Sequence, residues 1–310
     1  MNWLFFTLAT TLLWGLAELF YKKGALEREK YSHLKICVMV GLVMGIHAVF
    51  TLLTEDVGYN LSYLIGYLPV SACYILSMAF SFFGMRFIEE SISDPIENTS
   101  GAMCAVMCAL LLGADYQLDA LVWVAIGIIT VGVVGIGFLE NTGDLQRRKR
   151  LGKKLAIVAF CMPFLYAFID AVGCVLDIFF LEDAASPLFT LGATEETIEI
   201  IANTSYELTF ALVGLVLFIF MLIKGVKFGG LWQQRDKALA AVCETAGQLT
   251  YVYAMSSGNG SIAAPIISGV CVVSLILSRI FLKEKLSKKQ YLFIGIIIVG
   301  ILMLAVLEGE

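Results

Sequence analysis

Ten stretches of apolar residues, each about the length of a bilayer crossing, alternate with short polar segments along this chain. They cover 3–21, 35–54, 62–85, 92–112, 118–139, 154–181, 199–223, 238–257, 261–281 and 290–307. A helix needs roughly 20 apolar residues to cross the hydrocarbon core, so the pattern predicts an all-α membrane protein with ten transmembrane helices. The connections are too short for a soluble domain. The first stretch has neither a basic leader nor a small-residue cleavage site, so it reads as helix 1 and not as a signal peptide. A composition of 59% hydrophobic and 15% charged residues agrees with a membrane class.

Charge then fixes the number of crossings and their direction. All 21 Lys and Arg residues fall in or beside the connections after helices 1, 3, 5, 7 and 9. The termini and the connections after helices 2, 4, 6 and 8 have none. A missed helix would scramble that division. Because cytoplasmic loops carry the Lys/Arg excess, the odd connections are expected inside and both termini outside. The net charge of −5 carries no nucleic-acid signal, since the basic residues face an anionic leaflet and the acidic 182–199 loop faces out. Short tails without retention signals fit the plasma membrane of a bacterium.

The eight cysteines lie within predicted helices, and none has the CxxC spacing of a zinc or redox site. Cys104 and Cys108, one turn apart, read as small packing residues. His33 falls in a loop and His47 stands alone in helix 2. No metal and no cofactor is expected.

The second half of the chain repeats the first. Ser91-Ile92-Ser93-Asp94-Pro95-Ile96 recurs as Ser261-Ile262-Ala263-Ala264-Pro265-Ile266, each opening a helix. Ser100-Gly101 is matched by Ser268-Gly269, and the Ile126–Gly132 run by Ile294–Gly300. Trp14 and Glu18 in helix 1 fall opposite Tyr166 and Asp170 in helix 6. Residues 1–139 and 154–310 therefore form two five-helix repeats, joined by a basic linker at 140–153. An odd number of helices inserts the second copy upside down. Two inverted repeats can exchange conformations through states of similar energy, the architecture of alternating access with a substrate site near the midplane.

Small residues support close packing, as Gly41-xxx-Gly45 and the paired glycines of helices 5 and 10 do. Pro95 and Pro265 have two readings. Each either loosens the backbone, so that carbonyls and amides face a cavity, or occupies an ordinary first helical turn.

A carboxylate at membrane depth is costly and marks function by default. Glu18 in helix 1, Glu97 in helix 4, Asp170 and Asp177 in helix 6, Glu207 in helix 7 and Glu244 in helix 8 have no Lys or Arg within the hydrophobic parts of their helices. Some must carry a proton or be held charged by a bound cation. Depth favours Asp170 and Glu244 for function, whereas Asp94 reads as an N-terminal cap. Gln248, Asn98, Asn203 and Thr245 add polarity. Trp14, Tyr166 and Tyr251, with Tyr74 and Tyr206, supply rings that either bind an ammonium group or simply pack. The candidate substrate-binding or coupling set is therefore Asp170, Glu244, Glu18, Glu97, Glu207, Asp177, Trp14, Tyr166, Tyr251 and Gln248.

The residues that carry a family resemblance are Trp14-Gly15 in helix 1, Pro95 and Pro265 at helices 4 and 9, and the 261–302 stretch. That stretch runs from Ser-Ile-Ala-Ala-Pro-Ile through an apolar segment to Phe281-Leu282-Lys283-Glu284-Lys285-Leu286-Ser287, then Gly295 and Gly300. Together with the ten helices in two repeats, they resemble the drug/metabolite transporter superfamily in its EamA-type branch. The resemblance implies a secondary carrier of a small metabolite, with a central cavity lined by helices 1, 3, 4, 6, 8 and 9. It also implies cytoplasmic termini, against the charge distribution read here.

An organic cation or amine is the first substrate class, because the buried acidic excess lacks basic partners. The alternative is a neutral metabolite such as an amino acid, with the carboxylates coupling transport to protons. The expected partners are a small molecule, the lipid bilayer and protons or another coupling ion, without nucleic acid. HExxH, GxSxG and Gly-rich phosphate motifs are missing, which argues against an embedded enzyme. The near-symmetric halves argue for a carrier over a channel.

Overall fold

The computed structural model describes residues 3–88, 90–112, 118–137, 139, 153–256, 259–281 and 287–307. The basic linker, apart from its last residue, lies outside the described residues, as do residues 282–286 of the family-like stretch. All regular structure described is helical. In chain order it comprises α1 (Trp3–Gly24), α2 (Ser32–Thr54), α3 (Leu61–Gly84), α4 (Glu90–Glu97), α5 (Ser100–Leu111), α6 (Ala120–Gly137) and α7 (Lys153–Glu182). There follow α8 (Pro187–Thr190), α9 (Ile198–Ile223), a 3-10 turn at Leu231–Gln234, α10 (Arg235–Met255), α11 (Gly260–Ile267), α12 (Val270–Phe281) and α13 (Lys288–Leu307). With α4–α5 and α11–α12 each counted as one crossing, the ten expected spans are present, their ends moved by at most three residues. Seven spans are long and apolar enough to cross a membrane by length and composition alone. Large apolar side chains such as Leu53, Leu110 and Ile223 point outward, where a bilayer would meet them.

Of the two readings of the prolines, the structure does not fit the first-turn one. Pro95 and Pro265 each lie sixth in an eight-residue segment, which a two-residue interruption separates from a twelve-residue one. A proline inside a helix removes one i→i−4 bond and crowds the preceding turn, and in both repeats the helix stops soon afterwards. The two broken helices are the same length segment for segment.

Packing obeys the same exchange of halves. The pairing of α1 with α10 is repeated by α7 with α3, and that of α1 with α11–α12 by α7 with α4–α5. The helices α2 and α9, like α6 and α13, pair with their own counterparts. Atoms follow suit. A Cβ on Gly132 would lie 2.5 Å from Ile297 Cγ1, and one on Gly300 would lie 2.6 Å from Ile129 Cγ1, contacts related by a constant shift of 168 residues. Their neighbours Gly127 and Gly295 face open space, so only one glycine of each pair serves the close approach expected of both.

The described basic residues gather at one end of the bundle, and three of them, Lys35, Arg86 and Lys237, are buried there. Lys35 and Lys237 are 5% and 3% exposed, and both ammonium groups donate to Glu29, between α1 and α2. Burial alone would raise the Glu29 carboxyl, but the hydrogen bond from Lys35 and the charge of Lys237 outweigh it and hold the group below its ordinary value. A carboxylate whose folded pKa is depressed stabilises the fold above its unfolded pKa, and loses that contribution as pH falls through the folded value. The unfolding temperature of the purified protein should therefore fall below about pH 4.5. Glu29→Gln should start from a lower unfolding temperature and show a smaller acid-side fall.

Candidate functional site

Helical spacing brings the membrane carboxylates together. On α1, Trp14, Glu18 and Tyr21 stand at i, i+4 and i+7, and on α10 so do Glu244, Gln248 and Tyr251. On α7, Tyr166, Asp170 and Cys174 follow at i, i+4 and i+8. Residues three or four apart share a helix face, and in the folded bundle these faces line a common cavity of about 100 Å³. That space takes on the order of seven to ten water-sized groups. Gly247 makes room for the wall: a Cβ there would lie 2.4 Å from Cδ1 of Trp14, whose ring lies 5.0 Å from that of Tyr251.

Eight of the candidates drawn from the sequence line this cavity: Trp14, Glu18, Glu97, Tyr166, Asp170, Glu244, Gln248 and Tyr251. The spans that line it are the first, third, fourth, sixth, eighth and ninth, joined by Tyr206 from the seventh. Tyr21, Ser81 and Phe82 also line it and were not among the expected residues. Tyr21 was legible one turn after Glu18, whereas Ser81 and Phe82 carry no signal apart from the packing.

Hydroxyl groups hold the carboxylates in place. Glu97 accepts from Ser81 at 2.7 Å and from Ser93 at 2.6 Å. Glu244 accepts from Tyr21 at 3.2 Å, and Asp170 from Ser77 at 3.4 Å. Two donors of the lining, Trp14 Nε1 and Gln248 Nε2, are buried with no acceptor among the described residues. Asp94 is not the helix cap that its position suggested. It lies within α4, buried, bonded by Ser274 at 2.5 Å and by Asn98 at 2.5 Å, and it shares a hydrogen bond with Glu18.

Other candidates lie elsewhere. Asp177 is on the same face of α7 but above the cavity, where it accepts from Tyr67 and, at 3.4 Å, from Tyr74. The hydroxyls of Tyr74 and Tyr251 stand 2.6 Å apart. Together these buried groups form a layer that closes the end opposite the basic residues. Asp177→Ala would leave the Tyr67 hydroxyl buried without an acceptor, a loss of about 1–3 kcal/mol, and should lower the unfolding temperature accordingly.

Glu207 does not line the cavity either. It is paired with His47, which therefore does not stand alone, and His33 belongs to the first turn of α2, not to a loop. Asn203 and Thr245 also lie outside the lining, and the ring prolines Pro95 and Pro265 sit in the short segments α4 and α11.

Comparison with known proteins bears on the family and the fold. Residues 184–306 match the EamA-like transporter family. An uncharacterized protein of Methanocaldococcus jannaschii is 37% identical over 68 residues, 22% of this chain, and the match spans 50% of that relative's length. A crystal structure of a protein superposes with a TM-score of 0.67 over 99% of this chain and 98% of that chain, at 15% identity. That last likeness is one of fold.

Proposed function

We propose that this chain, whose residues 184–306 match the EamA-like transporter family, is a carrier of the drug/metabolite transporter superfamily that moves a small organic cation by alternating access between its repeats. One observation carries the reading. Glu18, Glu97, Asp170 and Glu244 line one small aromatic-walled cavity, and no Lys or Arg is among its described lining residues. Carboxylates in a low-dielectric space attract a cation strongly, and ring faces add to that attraction. The volume suits a molecule of roughly ten heavy atoms or fewer. The free donors of Trp14 and Gln248 favour a substrate that also offers an acceptor oxygen, as an amino alcohol does.

The cavity runs from the midplane towards Tyr21 and Met85, at the end with the basic residues. By the positive-inside rule that end is cytoplasmic. The described conformation is then inward-facing, with both termini outside.

A second reading rests on the Asp94–Glu18 contact. Two carboxyls joined by a hydrogen bond hold a proton between them, which favours a neutral substrate coupled to proton movement through the cavity carboxylates.

Reconstitution into liposomes tests the first reading, with ethanolamine, choline and amino acids screened by thermal shift. Labelled ethanolamine should then enter faster when unlabelled ethanolamine is trapped inside, because a carrier trans-stimulates and a channel does not. No thermal shift with either amine, together with counterflow of an uncharged compound, would overturn the cation reading.

A further inference from the structure

An ionisable pair with a buried carboxylate and a part-exposed imidazole lies outside the cavity and has no part in the binding scheme above. His47 on α2 and Glu207 on α9 meet with Nδ1 2.8 Å from each carboxylate oxygen. Glu207 has no exposed surface, and it also takes a hydrogen bond from Asn203, one turn away. The His47 side chain is 31% exposed on the flank of the bundle. Seven residues separate His47 from Thr54, where α2 ends, or roughly 10 Å at about 1.5 Å per residue. The pair is therefore at membrane depth.

Among the described residues, no Lys or Arg is bonded to the pair. The neighbouring turns of α2 bring Val43, Met44, Phe50 and Thr51. Besides Asn203, α9 brings Tyr206, and the segment before α3 brings Tyr59, bonded to Ser205 at 3.0 Å. The carboxylates of α7 and α10, namely Asp170, Asp177 and Glu244, interact with Tyr206, on the cavity side of Glu207. Among the described residues, the groups bonded to Glu207 are His47 and Asn203.

One proton makes this pair neutral overall, either as imidazolium with carboxylate or as imidazole with carboxylic acid. Removing it leaves a bare carboxylate at membrane depth, which must either be hydrated or regain a proton. We infer that His47 and Glu207 form a one-proton site, separate from the substrate cavity, through which the carrier is coupled to a proton gradient. This rests on the carrier reading above. The connection to the cavity is short. Tyr206 follows Asn203 by one turn and lines the cavity, its ring edge-on to Tyr74 at 6.1 Å. Tyr74 in turn holds Asp177 and Tyr251 in the closing layer. Hydration of the deprotonated carboxylate parts α2 from α9 at the base of that chain of contacts, and so loosens the closed end.

Two measurements test the site. Infrared difference spectra of the lipid-reconstituted protein between acidic and alkaline pH should show a titrating band, of the carboxylic acid or of the imidazolium, that shifts in Glu207→Asp and is lost or changes its midpoint in Glu207→Gln and His47→Gln. In proteoliposomes under an imposed pH gradient, wild type should concentrate labelled ethanolamine. His47→Gln and Glu207→Gln should lose at least tenfold of that accumulation while counterflow at equal pH stays measurable, and Glu207→Asp should recover part of it. Full pH-driven accumulation in both variants, or no titrating band that changes in Glu207→Gln or His47→Gln, overturns the inference. Absence of ethanolamine counterflow in wild type would instead sink the carrier reading for that amine, and the infrared result would still decide whether the pair binds a proton.

Discussion

Asp170→Asn should weaken ethanolamine binding about 30-fold or more, and Glu244→Gln should do the same. Removing one partner of a desolvated charge pair costs about 2–5 kcal/mol, and each 1.4 kcal/mol is a factor of ten. Both substitutions keep the size of the side chain, so the hydroxyls of Ser77 and Tyr21 keep a partner. The expected effect is thus on the substrate and not on the fold. Half-saturation in counterflow, with unfolding temperature measured on the same preparations, separates the two. A neutral substrate that both variants still exchange normally, with its pH-driven accumulation abolished, would move these carboxylates from substrate binding to proton coupling. That result would favour the second reading of the cavity, and it would also count against a proton site at His47 and Glu207.

The second large effect is expected at the crossing of α6 and α13. Gly132→Ala and Gly300→Ala should each destabilise the protein by about 1–3 kcal/mol, the usual cost of overpacking. The added methyl would lie 2.5 Å from Ile297 Cγ1 in the first and 2.6 Å from Ile129 Cγ1 in the second. Gly127→Ala and Gly295→Ala meet nothing within 4 Å, and alanine is the better helix former by about 1 kcal/mol. Those two should be neutral or slightly stabilising. Thermal unfolding of the four variants in one detergent would settle the matter. Equal losses at all four positions would mean that the two repeats do not pack through this face. A loss confined to Gly132 and Gly300 fits a pseudo-twofold contact made identically by each half.

These glycines show what could be read from the chain and what could not. The 168-residue repeat makes Gly127 equivalent to Gly295 and Gly132 to Gly300, but it could not say which of those two pairs touches a neighbour. Spacing along a helix defines a face, whereas the identity of the opposing face depends on how distant helices are placed. The carboxylates teach the same lesson. Glu18, Glu97, Asp170 and Glu244 were candidates because charge at membrane depth is costly, and all four line one cavity. Asp177 and Glu207 satisfied the same rule, yet one is tied to tyrosines and the other to a histidine.

The ten spans, the duplication and the gathering of basic residues in alternate connections are legible along the chain. Hydrophobic run length and charge are local properties, and the bilayer imposes them on each segment separately. The folded bundle adds that the prolines sit within broken helices, that Asp94 joins Glu18 instead of capping a helix, and that His47 meets Glu207 across 160 residues. Each of those depends on a partner supplied by another span, and the pairing of spans is fixed by packing between helices, not by the pattern along any one of them.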